Sequence, residues 1–539
     1  MPLLSIALVS ATALAYEVLL MRLFSIIQWH HFAYMMISLA LLGYGVSGAF
    51  LMLLQRPLLQ RFAASYVINL ALFGITAVGC FLLAQHLPFN AEEVLWDIRQ
   101  TVWLMCTYLL LAVPFFFAAN AIGLALIHYR ARLSRIYAAD LLGAGLGSIG
   151  VLALLFVVLP LQALTVLGLL GTGAALLAVL ELQQRSGMAW LLLPLVLTLL
   201  LLPGSWNTLE MSPYKGLSQT RRVKETRIIA QHSSPLGLLS VVESPTIPLR
   251  HAPGLSLNAT TEPPAQLGVF TDGDGLSVIT RYNGDRQTLA YLDQLTSALP
   301  YHLQAVKRVL VLGAGGGTDV LQARYHQAGS IDAVELNPQF ARLVTTDYAD
   351  FAGHLYQQPG ITLHIGEARS FAASSPGDYN LIQVSLLDSF SASASGQYAL
   401  SENQLYTTEA LAELLQQLAA DGLLAITRWI KLPPRDTVKL FATAIAALRA
   451  GGVTDPGQQL ILIRGWQTST LLIKNSAITP QETNRAREFC AARSFDVAWY
   501  PGISRDDSNR YNRLRNPWFH DAAVALLGDE PERFLDDYK

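Results

Sequence analysis

Four glycines in five positions, Gly313, Gly315, Gly316 and Gly317, stand between the aliphatic run VLVL at 309–312 and a helical stretch that opens with TDV. Glycine there lets the backbone turn sharply and approach a ligand, and the amides that open the helix favour an electron-rich group. Glu335 ends the next strand, SIDAVEL, 22 residues after Gly313, where a carboxylate can accept both hydroxyls of a ribose. A third strand, ITLHI, runs into Gly366 and Glu367, and a fourth, YNLIQV, leads within a few residues to Asp388. Glycine, acid, acid and acid at successive strand ends describe a nucleoside site at the carboxyl edge of a sheet, the alternative being a set of solvated loop acids. Such a rim repels phosphate, and no Gly-Lys-Ser/Thr follows the glycines to hold one. A cationic sulfonium nucleoside suits it better than a dinucleotide.

The elements that must hold these residues follow from the pattern. From Val306 onward strand and helix alternate, the signature of a parallel sheet with crossover helices. Residues 205–300 show strand-like alternation broken by turn residues. TRIIAQHSSPLGLLSVVES reads as two strands about a Ser-Ser-Pro-Leu-Gly turn, and QLGVFTDGDG as another strand with a tight turn. After Trp429, DTVKLFATAIAALRA is an amphipathic helix, and LILIRGW and TSTLLIKN are strands that complete the sheet. The charges from Arg505 to Arg515 form a solvated surface, and His520, with no companion at metal spacing, is structural.

The chain has 539 residues, 52% hydrophobic and 14% charged, more apolar than globular proteins are, and nearly all of the excess precedes Pro203. A bilayer-spanning helix needs about 20 apolar residues. Spans are expected near 3–27, 32–54, 66–85, 101–127, 136–160 and 163–180, with a shorter seventh run at 189–202. The first carries Glu17 and Arg22 too centrally for a cleaved signal peptide. Arg56, Arg61, Arg130, Arg132, Arg135 and Arg185 lie in alternate loops, against Arg99 among Glu92, Glu93 and Asp97. Basic loops prefer the cytoplasm, and Lys215, Arg221, Arg222, Lys224 and Arg227 put the following domain on that same side. This parity makes the seventh run re-entrant or interfacial; its apolar stretch spans only roughly 21 Å as a helix. The alternative is a fourth segment broken at Pro114. Glu17 and Asp140, at membrane depth, are functional or else form an ion pair with Arg22. Gly143, Gly147 and Gly150 offer a smooth face for helix packing.

A net charge of −2 without a basic run excludes nucleic acid as a partner. Three scattered cysteines point to neither a disulfide framework nor a thiolate metal site, and no metal is expected.

From about 225 to 430 an ordered set of motifs resembles the spermidine synthase branch of the S-adenosylmethionine-dependent methyltransferase fold. The motifs are RYNGDRQTLAYLDQLTSALPY, the glycine loop, VELNP, HIGEARSF and LYTTEALAELLQQLAADGLLAI. LAYEVLLMRLFS and YAADLLGAGLG are similar to bacterial members fused to transmembrane helices. The resemblance implies an N-terminal polytopic α-helical membrane domain at 1–204, a small β-domain at 205–304 and an α/β Rossmann-like (class I methyltransferase, spermidine synthase-like) domain at 305–539. It implies that Gly313, Gly315, Gly317, Asp319, Glu335, Glu367 and Ala368 bind S-adenosylmethionine or decarboxylated S-adenosylmethionine. Glu335 would hold the ribose and Glu367, usually Asp in the family, the adenine amino group. Tyr291 and Asp293 would line the acceptor pocket. Two family acids are missing: one inside the glycine loop, where Gly316 stands, and the catalytic Asp after the fourth strand, where Ser385 stands. A serine is no base at neutral pH, which leaves Asp388 as the replacement. The stretch DSFSASASGQY that Asp388 opens is either a lid over the pocket or a passive loop. Longer fused relatives continue past the point where this chain ends, so a shortened chain is expected.

Three functions follow. One is a membrane-embedded transferase that moves an aminopropyl or related alkyl group to a small-molecule amine or amphiphilic acceptor. Another is methyl transfer to a membrane substrate, which Gly316 suits because an intact methionine end brings its own carboxylate. The third is a non-catalytic nucleoside sensor that gates a transport or assembly role of the helices. The expected location is the bacterial inner (cytoplasmic) membrane, with the soluble domain cytoplasmic, the lipid bilayer as a partner and a homodimer as the assembly.

Overall fold

The computed structural model describes residues 1–28, 30–90, 93–94, 96–183, 208–387 and 404–538. Six helices come first: α1 (Leu3–Ile27), α2 (His30–Gln60), α3 (Phe62–Gln85), α4 (Ile98–His128), α5 (Leu133–Leu154) and α6 (Pro160–Glu181). All six contain a stretch long and apolar enough to cross a bilayer, matching the expected number of full spans among the described residues. Pro160 opens α6 instead of closing α5, because a residue without an N–H is tolerated in the first helical turn. The fourth helix is not broken, since α4 runs through Pro114.

Glycine sets the closest helix contact. A Cβ at Gly143 or Gly147 would fall 2.1 Å from the Ala7 carbonyl oxygen or 2.0 Å from that of Ala11, so α1 and α5 meet backbone to backbone. Gly150 faces open space and is not part of that contact.

The bundle has two distinct ends. At one, the Leu4 and Ser5 amides donate to Glu181, and Phe62 stacks on His128. Arg56, Arg61, Arg130, Arg132 and Arg135 belong to this end, by their positions at helix termini. At the other, the Ser212 amide donates to the Ile27 carbonyl, and Gln85 bonds the backbone of Thr208 and Glu210. The soluble part therefore begins at the end opposite the arginine-rich loops, and the expectation that both share one side is corrected. The run at 189–202 lies outside the described residues.

Arg22 joins the two parts. Its guanidinium donates to both carboxylate oxygens of Asp272, at 3.0 and 2.8 Å, and Asp272 is wholly buried. Asp272 also accepts the Leu238 amide at 2.8 Å, and Lys215 Nζ donates to the Ser25 and Asp272 carbonyls. Burial pushes the Lys215 amine down to about 8, against the pull of Asp272. Arg22 thus does not pair with Glu17 or Asp140. Five helical positions turn a side chain through about 140°, away from Glu17, and Asp140 instead accepts the Ser10 hydroxyl.

Past this junction, β1 (Arg227–Ser234), β2 (Gly237–Glu243), β3 (Gln266–Thr271) and β4 (Gly275–Thr280) form an antiparallel sheet in chain order. A second sheet follows, from β5 (Arg308–Leu312), β6 (Ser330–Glu335), β7 (Ile361–Ile365), β8 (Tyr379–Val384), β9 (Leu418–Trp429), β10 (Leu460–Arg464), β11 (Thr468–Lys474) and β12 (Asp496–Trp499). Its order is β12-β10-β11-β9-β8-β5-β6-β7, parallel from β9 to β7, with β11 antiparallel to both its neighbours. Strand β5 reads as unbroken aliphatic sequence because both its faces are covered. Val309 and Val311 enter one core, Leu310 and Leu312 the other. From β5 the chain proceeds outward through β6 and β7, then returns to build β8 and β9 on the opposite flank. That reversal opens a crevice at the carboxyl end of β5.

Candidate functional site

In this crevice lies a cavity of about 410 Å³. Gly313, Gly315, Asp319, Glu335, Glu367, Ala368 and Ser385 all line it. The glycine loop turns through left-handed backbone at Gly313, Gly315 and Gly317, with φ of 82°, 49° and 91°. Gly317 is not in the cavity wall; it is the N-cap of the helix Thr318–Tyr325 and packs on Leu355.

Glu335 stands at the end of β6 and reaches back to the loop. Its carboxylate accepts the Gly315 and Asn337 amides, each at 2.8 Å. Burial pushes this carboxyl up, with those amides opposing. Asp319, in the first turn of the helix after the loop, accepts Gln383 Nε2 at 2.7 Å and is likewise pushed up by burial. Glu367 is the N-cap of the helix Ala368–Ser374. It accepts the Arg369 amide at 2.9 Å and the Ser370 amide and hydroxyl at 2.7 and 2.8 Å. Partial burial raises its carboxyl, but these donors outweigh that and hold it below the usual range. Two acids strained by burial and one held ionised make a cavity that a positive charge would stabilise.

Gly316 has a steric cause. A Cβ there would fall 2.0 Å from the Val278 carbonyl oxygen, and its amide donates to Ser277 Oγ at 3.1 Å. Strand β4 of the small sheet therefore lies where an acidic side chain would begin. Ser385 is buried in the cavity wall beside Asp319, whose carboxyl its hydroxyl helps to bring down against burial. Asp388 and the DSFSASASGQY stretch lie outside the described residues.

Neither Tyr291 nor Asp293, expected at the acceptor pocket, is among the residues that line this cavity. Tyr291 is buried beneath β4, its hydroxyl 3.4 Å from Thr280 Oγ1. Asp293 points to the helix Pro480–Arg493, where Arg493 pairs with it and His302 Nε2 stands 2.6 Å away. Burial raises the Asp293 carboxyl, but His302 and Arg493 bring it down to about 2. Asp293, His302 and His326 could offer ligand atoms within 4.8 Å of one another. The Arg493 guanidinium already fills the role a cation would take.

Other residues of the wall were not legible as site residues: His251 from the loop after β2, Asp274 and Ser277 around the β3–β4 turn, Thr427 and Trp429 from β9. The only sequence signal among them was the DGDG turn that contains Asp274. Burial pushes the His251 imidazole down to about 4, so it is neutral at neutral pH.

No family model matches the chain. A curated polyamine aminopropyltransferase of Korarchaeum cryptofilum (strain OPF8) is 26% identical over 137 residues, 25% of this chain and 40% of that protein. The match thus spans less than half the length of that relative. Among solved structures, spermidine synthase from Thermotoga maritima is 13% identical with a TM-score of 0.32, over 58% of this chain and 86% of that one. A probable spermidine synthase from Corynebacterium glutamicum ATCC 13032 is 14% identical with a TM-score of 0.35, over 54% and 96%. Behind its six apolar helices, the chain carries a spermidine synthase-like fold of the methyltransferase class.

Proposed function

We propose that the cavity binds a sulfonium nucleoside, S-adenosylmethionine or its decarboxylated form, and that the chain transfers an alkyl group from its sulfur to an acceptor drawn from the membrane surface. One observation carries this reading: Glu335, held toward the glycine loop by the Gly315 and Asn337 amides, shares a single cavity with Asp319 and Glu367. An ionised Glu335 accepts ribose hydroxyls, Glu367 keeps acceptor capacity beyond its capping bonds for an adenine amino group, and the acids together favour the positive sulfur. The nucleophile's lone pair forms the new bond to the carbon beside sulfur. The carbon–sulfur pair stays on sulfur, which leaves as a neutral thioether, and the nucleophile's proton must find a base.

The acceptor reading rests on the junction. Asp274 and Gly275 line the cavity, and Asp272 in the same turn is held by Arg22 of α1. Leu236, in the β1–β2 turn, lines it too. The cavity is one turn away from the apolar helices, and Leu276, Leu386, Leu387, Leu405 and Trp429 make much of its wall greasy. This favours an amphiphile bearing an amine. On this reading the soluble domain faces the cytoplasm of a multi-pass protein, where such nucleosides are made, and the arginine-rich loops face outward.

Methyl transfer is a second reading, favoured by the Val278 carbonyl at Gly316. No acid can stand there to hold the free ammonium of an aminopropyl group, whereas an intact methionine end carries its own carboxylate. Calorimetry on the full-length protein in detergent, with each nucleoside, tests the common part. Binding of neither removes the reading. Label from the decarboxylated donor appearing on putrescine selects aminopropyl transfer, and methyl label appearing on phosphatidylethanolamine vesicles selects the second reading.

A further inference from the structure

The acids in the described wall all accept hydrogen bonds, Asp274 through one oxygen. Glu335 binds Gly315 and Asn337, Glu367 caps its helix, Asp319 binds Gln383, and Asp274 accepts the Gly216 amide. Ser385 is no base. We propose that His251 receives the proton of the attacking nucleophile, at the point where the donor cavity meets a second groove through which the acceptor enters. The proposal rests on the transferase reading above.

Three observations support it. The groove, of about 450 Å³, shares His251, Pro253 and Trp429 with the cavity and continues past Trp466 to the Arg250–Glu262 pair. His251 is the one residue of that shared wall whose side chain can exchange a proton. Trp466, half-exposed in the groove, offers an aromatic face against which the organic part of a neutral amine acceptor can pack.

The residue is also held in place. Its amide donates to Gln266 Oε1 at 2.8 Å, and Gln266 Nε2 donates back to its carbonyl at 3.1 Å. Gln266 Nε2 lies 3.4 Å from Thr280 Oγ1, which meets the Tyr291 hydroxyl. Tyr291, absent from the cavity, is on this account a positioning residue for His251. The imidazole itself has no hydrogen-bond partner among the described residues.

The charges facing it suit the step. Arg250 and Glu262 cancel across 2.6 Å in the groove, while Asp274, Asp319 and Glu335 lie on the cavity side. While the sulfonium is present, its charge offsets those acids, and burial keeps the imidazole neutral and able to accept. Once the carbon–sulfur bond breaks, the sulfur is neutral and the positive charge sits on the acceptor nitrogen. Transfer of that proton to His251 returns one positive charge to the acidic cavity and frees a neutral amine product.

Detergent-purified full-length protein is offered labelled S-adenosylmethionine or its decarboxylated form, with putrescine or phosphatidylethanolamine vesicles. His251→Ala is expected to lower turnover at least ~100-fold while donor affinity stays within about twofold, and added imidazole should restore part of the rate. A His251→Ala rate within about threefold of wild type overturns the proposal. Absence of turnover with every pair counts against the transferase reading, and His251 is then judged separately. In nucleoside-loaded wild type, diethyl pyrocarbonate should modify His251 through the groove, and putrescine or phosphatidylethanolamine should slow it. A His251 that stays unmodified, or is modified equally with both acceptors present, overturns the proposal.

Discussion

Glu335→Ala separates a carboxylate that holds a ligand from one that merely ends a strand. The native carboxylate accepts two amides at 2.8 Å and, on the proposed reading, two ribose hydroxyls when a nucleoside is bound. Hydrogen bonds to a charged acceptor contribute about 1.5–3 kcal/mol each, so losing both ribose bonds weakens donor binding by about 3–6 kcal/mol, or ~10²- to 10⁴-fold in Kd. Removal also orphans the Gly315 and Asn337 amides, which loosens the glycine loop and adds to the loss. Titration calorimetry with each nucleoside reads the effect, and ligand-free thermal unfolding reads the loop's share. The pH dependence has a definite sign. Burial raises the Glu335 carboxyl, so affinity is full above that raised value and falls as pH drops through it. Ligand-free stability runs the other way: the Glu335 contribution is fully present below the ordinary carboxylate range and is lost as pH rises through the raised one. A Kd within about threefold of wild type, or an equal loss on replacing the exposed Asp350, would refute the cradle.

Gly316→Asp should cost several kcal/mol of stability and fail to create aminopropyl transfer, because the new Cβ overlaps the Val278 carbonyl. A stable variant that gains activity with putrescine would show that the strand yields. Arg22→Ala and Asp272→Asn should each destabilise by about 3–5 kcal/mol in detergent, and the double variant by clearly less than the sum; additive losses would mean the pair does not join the two parts. With Cys106 replaced by Ser, single cysteines at Arg132 and Arg222 should react with an impermeant maleimide from opposite sides of sealed vesicles. Labelling of both from one side would overturn the arrangement of the bundle ends.

Much of the soluble fold was legible because its strands are local signals. Strands β5 to β8 are short aliphatic runs buried on both faces, and the period of the pattern separates them from the helices between. Glycines and acids at their ends announce an edge, since a strand must stop where the backbone turns toward a ligand. The six apolar helices α1 to α6 were legible for a similar reason: length and apolarity of the kind a bilayer demands are properties of each segment independently of its neighbours.

The remainder depended on partners far away in the chain. Arg22 looked like a mate for Glu17 by proximity in sequence, yet its carboxylate comes from Asp272, in a turn of the small sheet. Asp293, assigned to a pocket by resemblance, is drawn off by Arg493. His251 sits in a loop with no motif, and it lines the cavity with its backbone held by Gln266, a residue of another strand. The steric reason for Gly316 comes from Val278, far away in the chain, whose carbonyl leaves no room for a Cβ. Periodicity and strand-end chemistry are written in neighbouring residues, so the amino-acid order alone determined the spans, the parallel sheet and the acidic edge. Which side chains share a cavity, which ions neutralise one another and which end of the bundle bears the soluble domain depend on contacts across hundreds of residues, and only the packed tertiary structure decided them.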